Sequence, residues 1–281
     1  MIFVCWAGAS LAQDQQVNIG VDSSFRVGFL FGRNTILYKD NRSDHSFGYF
    51  RMEHGPKVPL LSGVVEVSPF QRLSGRVAGS IIVLPGSSLF EFVAQDPETS
   101  WWNVSPGFQN WEAAGLYHLW IGGGYRFSLV GGFRQEWWKF AGGPTLYKER
   151  MNSFREDLDT RIPFFGLQTA VFYPWWKARF ELRGSPFVTK YVDAEVATAP
   201  RQVEYRGWAD DGGMIEFELE ATVGLTTNVR AGVHARYTYQ ELHGETTRYD
   251  GAAKRYQDIF ATETFGLLGL NFTVVFGSCT E

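Results

Sequence analysis

The sequence predicts an all-β fold, a transmembrane antiparallel β-barrel of about ten strands with long extracellular loops. Three observations lead there. Apolar and polar side chains alternate along most of the chain, long and short connections alternate between the alternating stretches, and the last apolar run closes on an aromatic residue, Phe276.

The alternation is clearest from Val229 to Gln240. Val229, Ala231, Val233, Ala235, Tyr237 and Tyr239 share one face, and Arg230, His234, Arg236 and Gln240 the other. Successive side chains of a strand point to opposite faces, so period two is the mark of a strand with one apolar side. The preceding stretch sets Ile215, Phe217, Leu219, Ala221 and Val223 against Glu216, Glu218, Glu220 and Thr222. Similar patterns occur at Phe25–Phe31, Leu61–Val67, Ser74–Leu84, Trp111–Leu119, Tyr125–Trp138, Phe164–Phe172, Lys177–Arg183 and Thr262–Phe276. Almost every strand has an apolar face and no helix is available to cover it, which makes lipid the simplest cover. No stretch approaches the roughly 20 consecutive apolar residues of a spanning helix.

Short connections are predicted near Ser68–Ser74, Ile121–Gly124, Pro174–Trp175 and Leu225–Asn228. Long ones are predicted near 33–59, 85–107, 141–162, 187–212 and 244–260. Transmembrane barrels have short periplasmic turns and longer outer loops. Five long and four short connections join ten strands and leave both ends on the periplasmic side. The final strand sets Leu268, Leu270, Phe272, Val274 and Phe276 on one face, a pattern similar to the closing signal of outer-membrane proteins, here followed by Gly277–Glu281. Tyr125, Tyr173, Trp175 and Trp176 lie beside the short turns, where a lower aromatic girdle belongs.

Composition agrees with a membrane barrel. The 281 residues are 16% aromatic, with 24 Phe and 10 Trp, and a net charge of −4 suggests no nucleic-acid partner. Residues 1–12 read as a secretory signal, with an apolar Ile2–Ala9 and a small-x-small site at Ser10-Leu11-Ala12. The barrel then occupies 13–281 as one domain. Its expected location is the bacterial outer membrane. Cys5 falls in the signal, so Cys5 and Cys279 make no disulfide framework, and neither has metal-ligand spacing.

The polar faces turn inward in this arrangement. Hairpin pairing puts Glu216, Glu218 and Glu220 beside Arg230, His234 and Arg236 as a lumen charge network. Such side chains either plug the lumen with salt bridges or line a narrow channel; barrels of eight to ten strands generally fill their interior.

The topology, together with Arg161-Ile162-Pro163-Phe164-Phe165-Gly166-Leu167, Gly132–Glu136 and Phe154–Asp157, resembles the omptin family of outer-membrane proteases. That resemblance implies an Asp-x-Asp pair in the second outer loop and an Asp-x-His pair in the fourth, which together activate a water for peptide hydrolysis. The corresponding residues are Asp96 and Glu98, then Asp193 and Glu195. The family's histidine is absent, and water activation at neutral pH needs such a base. His243, at the top of a neighbouring strand, is the nearest substitute. Asp210 and Asp211 enlarge the acidic loop group, but its spacing is not that of a calcium loop, and no metal or cofactor is expected.

The leading functional expectation is a non-enzymatic surface or ligand-binding barrel, meeting outer-membrane lipid and lipopolysaccharide and, through Trp101, Trp102 and Trp208, a surface ligand or peptide. An omptin-type endopeptidase with an altered acidic site and a narrow porin-like channel are the alternatives.

Overall fold

The computed structural model describes residues 20–39, 49–83, 87–93, 99–142, 151–198 and 201–276. The predicted signal, both cysteines and Gly277–Glu281 lie outside the described residues. The strands are β1 (Gly20–Lys39), β2 (Tyr49–Phe70), β3 (Leu73–Ile82), β4 (Ser87–Val93), β5 (Thr99–Gly122) and β6 (Tyr125–Gly142). They continue with β7 (Met151–Phe172), β8 (Trp176–Ser185), β9 (Thr189–Thr198), β10 (Arg201–Gly224), β11 (Val229–Asp250) and β12 (Ala253–Phe276).

Every described pairing is antiparallel, and β1 pairs with both β2 and β12, so the sheet closes on itself. Closure leaves no open sheet edge. Strands β3 and β4 stand one above the other between β2 and β5, and β8 and β9 do the same between β7 and β10. Twelve strands therefore fill ten positions around the barrel, the number that the connection pattern predicts.

The outward side chains of the lower half are apolar. Phe25, Val27, Phe29 and Phe31 on β1 are exposed, as are Ile215, Phe217, Leu219 and Val223 on β10 and Leu268, Leu270, Phe272, Val274 and Phe276 on β12. Nine residues, 268–276, cover that band on β12, which matches the length of a tilted membrane-spanning strand. Tyr125, Tyr173 and Trp175 are exposed at the turns beneath it.

The predicted outer loops are largely strand. Segments 85–107, 141–162, 187–212 and 244–260 contain β4, the starts of β5 and β7, all of β9, and the upper parts of β10, β11 and β12. Strands β11 and β12 meet through a two-residue turn in which Gly251 has φ 59°, a left-handed conformation that glycine adopts without strain. Strands of 24 residues, at ~3.3 Å per residue and a tilt near 45°, rise roughly 50 Å, about twice the apolar band. The cylinder thus continues well above the membrane.

The physical reason for the difference is a reversal of pattern. On β7, Phe154, Leu158 and Ile162 are buried inward, whereas Arg155 and Arg161 point out. On β9, Val192 and Ala194 are fully buried while Asp193 and Glu195 lie on the outer side. Water surrounds this part of the wall, so its charged face is the outer one. Alternation survives with opposite sign.

Candidate functional site

The lumen has two levels. At the membrane level the inward faces carry seven buried or half-buried arginines, Arg26, Arg76, Arg126, Arg134, Arg179, Arg183 and Arg236. Seven glutamates accompany them: Glu66, Glu112, Glu136, Glu181, Glu216, Glu218 and Glu220. Asp22, Lys177 and Arg230 follow at the periplasmic rim, where Lys177 Nζ lies 3.4 Å from Asp22.

The ion pairs run between barrel positions. Arg26 donates to Glu218 at 3.0 Å and to Glu220 at 2.6 Å, and Arg179 Nη2 donates to the same two carboxylates at 2.8 Å each. Arg76 grips Glu181 with two parallel bonds of 2.8 Å. Arg183 meets Glu112 at 2.7 Å, Glu216 at 3.1 Å, Glu218 at 3.3 Å and also Glu181. Arg134 donates to Glu216 at 2.6 Å. Buried charges are tolerable only when paired and hydrogen-bonded, and the two-pronged guanidinium suits this use. Lower down, His118 bridges Ser74 and Ser128 through its two ring nitrogens at 2.8 Å each.

Above this layer the lumen is largely apolar, with Asn34, Glu156, Thr160 and Gln240 buried among its aromatic and aliphatic side chains. Trp138 is 1% exposed and packs against Phe108, Phe140 and Phe265 with ring centroids 4.4, 5.5 and 5.2 Å apart. Ile36, Phe154, Leu158, Leu242 and Ile259 are buried in the same core. One fully buried ion pair, Lys190 with Glu263, crosses it from β9 to β12.

The predicted hairpin network is only partly what forms. Glu216, Glu218 and Glu220 do point inward beside β11, with Glu218 opposite Arg236 and Glu220 opposite His234. Thr238 of β11 donates to Glu216 at 2.8 Å, but the close charged partners come from β1, β6 and β8. Arg236 reaches Glu216 only at 3.9 Å, and Arg230 lines a small cavity at the rim. Local register brings these residues to one face, but barrel curvature decides which charges meet.

Of the residues that the omptin resemblance singled out, Asp96 and Glu98 lie outside the described residues. Asp193 sits on the outer wall of β9, 3.3 Å from Arg206 Nε. That carboxylate and Glu204 hold the Arg206 guanidinium above its ordinary pKa, and Asp157 does the same for Arg155 nearby. Glu195 accepts a hydrogen bond from Gln202 at 2.8 Å. His243 is on the outer wall of β11, 3.6 Å from Glu241 and edge-on to Phe260. Asp193 is opposite Arg206, which is opposite Thr247, four residues up β11 from His243. Four residues of strand span about 13 Å. Asp193 and His243 are thus not brought together, and the inward positions beside Asp193 are Val192 and Ala194. Asp211 is the cross-strand partner of His243. Trp208, suggested for ligand contact, packs on Tyr191 at 5.0 Å beneath Arg161 on the same outer wall, while Trp101 and Trp102 belong to β5. Among the described residues no three His, Cys, Asp or Glu side chains converge as metal ligands.

No family model matches the chain, and no curated protein matches it. Among solved structures, the outer membrane protease OmpT from Escherichia coli superposes with a TM-score of 0.75 at 14% identity, over 95% of this chain and 99% of that one. OprG from Pseudomonas aeruginosa aligns over 92% and 99% of the two chains with a TM-score of 0.43 and 10% identity. The translocator domain of the autotransporter NalP from Neisseria meningitidis aligns over 96% and 91% with 0.33 and 8%. The likeness to OmpT shows the fold, a β-barrel of the bacterial outer-membrane type; a shared barrel does not by itself carry chemistry from one chain to another.

Proposed function

We propose that this outer-membrane β-barrel is a sealed, non-enzymatic surface protein that works through the outer wall and rim of its protruding cylinder. The observation that supports this most is the doubly filled lumen. Charged side chains close the membrane level, with cavities of only about 30 Å³ remaining there, and aromatic and aliphatic side chains close the level above. An ion crossing the barrel would have to break the arginine–glutamate pairs and then traverse an apolar layer.

The same arrangement speaks against hydrolysis inside the described part of the barrel. Asp193, Glu195 and His243 face outward; among the described residues the inward positions beside Val192 and Ala194 hold Leu158, Tyr205 and the fully buried Glu156, and no histidine. The outer wall is better suited to contact. Arg155, Asp157, Asp193 and Arg206 form a charged belt above the apolar band, with Trp208 and Tyr191 below it. Outer-membrane lipid and lipopolysaccharide surround that belt in this reading, and the rim above presents the barrel to a partner.

Two measurements on protein refolded with lipopolysaccharide test the proposal. Planar-bilayer recordings should show no discrete conductance, and peptides with basic cleavage sites should remain whole. Regular single-channel steps would overturn the sealed reading. Cleavage that disappears in Asp193→Ala would overturn the non-enzymatic one.

A further inference from the structure

The membrane-level lumen encloses a cavity of about 30 Å³ with an unequal lining. Arg26, Arg76, Arg179, Arg183 and Arg236 border it together with His234, whereas Glu112 and Glu218 are the only carboxylate side chains in that lining.

Hydrogen-bonding capacity is also left over here. His234 is 2% exposed, and neither of its ring nitrogens has a partner among the described groups. The Nε atoms of Arg26, Arg76 and Arg179 are buried and equally unpartnered. Arg236 has its carboxylate, Glu216, at a distant 3.9 Å. Buried donors are costly without an acceptor, because folding strips them of water. Gly269 fits the same picture: a Cβ there would lie 2.6 Å from His234 Cε1, so glycine leaves room for the imidazole against the wall.

We propose that this cavity is a binding site for one small monovalent anion of the halide class, chloride being the natural occupant. A space of this size holds about two water-sized spheres. It suits a monatomic ion better than a tetrahedral oxyanion, which has four oxygens to seat. Donors surround the cavity from β1, β3, β8 and β11, so a spherical acceptor meets N–H groups from several sides. The anion would complete the charge lattice that closes the barrel, acting as a structural ligand and not as a transported ion.

Bromide is the probe for a direct test. Crystals of the full chain grown or soaked in sodium bromide should show an anomalous peak in the cavity beside Arg236 and His234. A cavity with water-level density and no anomalous signal overturns the assignment. A solution test compares unfolding of the refolded protein in sodium chloride and sodium gluconate at equal ionic strength. Chloride should raise the folded-to-unfolded ratio in proportion to one plus its concentration over Kd, about elevenfold at ten times Kd. Arg236→Gln should retain the heat-modifiable gel shift of a folded barrel and lose the chloride dependence; should that variant not fold, His234→Asn serves the same purpose. Equal stability in chloride and gluconate, or a chloride effect that persists in the folded variant, overturns the proposal.

Discussion

The two halves of this barrel solve opposite burial problems with one wall. At the membrane level the surroundings are apolar, so Leu219, Phe217 and Leu270 face out and the charges of Arg183, Glu181 and Glu216 are turned inward. Above the membrane the surroundings are aqueous. There Asp193, Arg206 and Arg155 face out, and Trp138, Phe154 and Val192 fill the interior. Only the sign of the alternation changes, and β10 shows both halves in a single strand. A register irregularity between Ala209 and Asp211 falls near the crossover. The lower half resembles a soluble protein turned inside out, whereas the upper half is built as a soluble β-barrel.

Four tests by substitution would break or sharpen that comparison, and the largest effect belongs to the charged level. Arg183 touches four carboxylates within the closed lumen. Arg183→Met should cost at least about 3–5 kcal/mol, because it leaves buried negative charge uncompensated. The check is the urea midpoint of the heat-modifiable band. A loss below about 1 kcal/mol would mean that water reaches the network freely.

The apolar level should respond differently to loss of an ion pair. Lys190→Met alone strands Glu263 and should cost about 3–5 kcal/mol. The double substitution Lys190→Met with Glu263→Leu removes both charges and leaves the neutral cross-strand neighbours Thr160, Ala209, Asn34 and Gln240 in place. It should recover most of the loss, because no uncompensated charge stays buried. A double variant as weak as the single one would show that this pair positions the upper strands and is more than an isolated charge pair in a hydrophobic core. Urea midpoints of the two variants decide this.

A third substitution tests the outer face of the lower half. Leu219 lies midway along the apolar part of β10 and is 52% exposed. Leu219→Arg should cost about 2–4 kcal/mol in a bilayer and much less in a detergent micelle that can rearrange around the charge. Equal stability in both would place Leu219 outside the hydrocarbon.

The contrast between the halves also governs what could be read from the chain. Val229–Gln240 and Ile215–Val223 are legible as strands because their apolar faces are continuous and their polar faces are charged. The stretch Val192-Asp193-Ala194-Glu195 alternates just as strictly, but its apolar residues are small and its outward acids look like those of a loop. The reversal is visible only once the height of each residue relative to the membrane is known. The lumen was legible in content and not in pairing. Inward orientation follows from period two, so the burial of Glu216, Glu218 and Glu220 could be foreseen. That they meet Arg26, Arg134, Arg179 and Arg183 depends on barrel curvature, which joins residues up to 194 positions apart. For Asp193 the limit was direction: its place in the chain invited a role in the mouth of the barrel, while its side chain lies on the outer wall.

The smallest effect is expected where the upper half meets water. Arg206 shares β10 with Leu219 and also points outward, but its side chain is 52% exposed and its partners Asp193 and Glu204 are themselves partly solvated. Exposed pairs of this kind contribute about 0–1 kcal/mol. Arg206→Leu should therefore shift the urea midpoint little in detergent, and the shift should shrink further in high salt, which screens surface pairs. The same substitution in lipopolysaccharide-containing bilayers sharpens the comparison. If anionic lipid groups lie against this belt, losing Arg206 should cost more there than in detergent, and the excess should fall with added salt. An identical small cost in both media would assign this wall to bulk water alone, whereas a cost near that of Leu219→Arg would move the membrane boundary above Arg206 and with it the level at which the wall reverses.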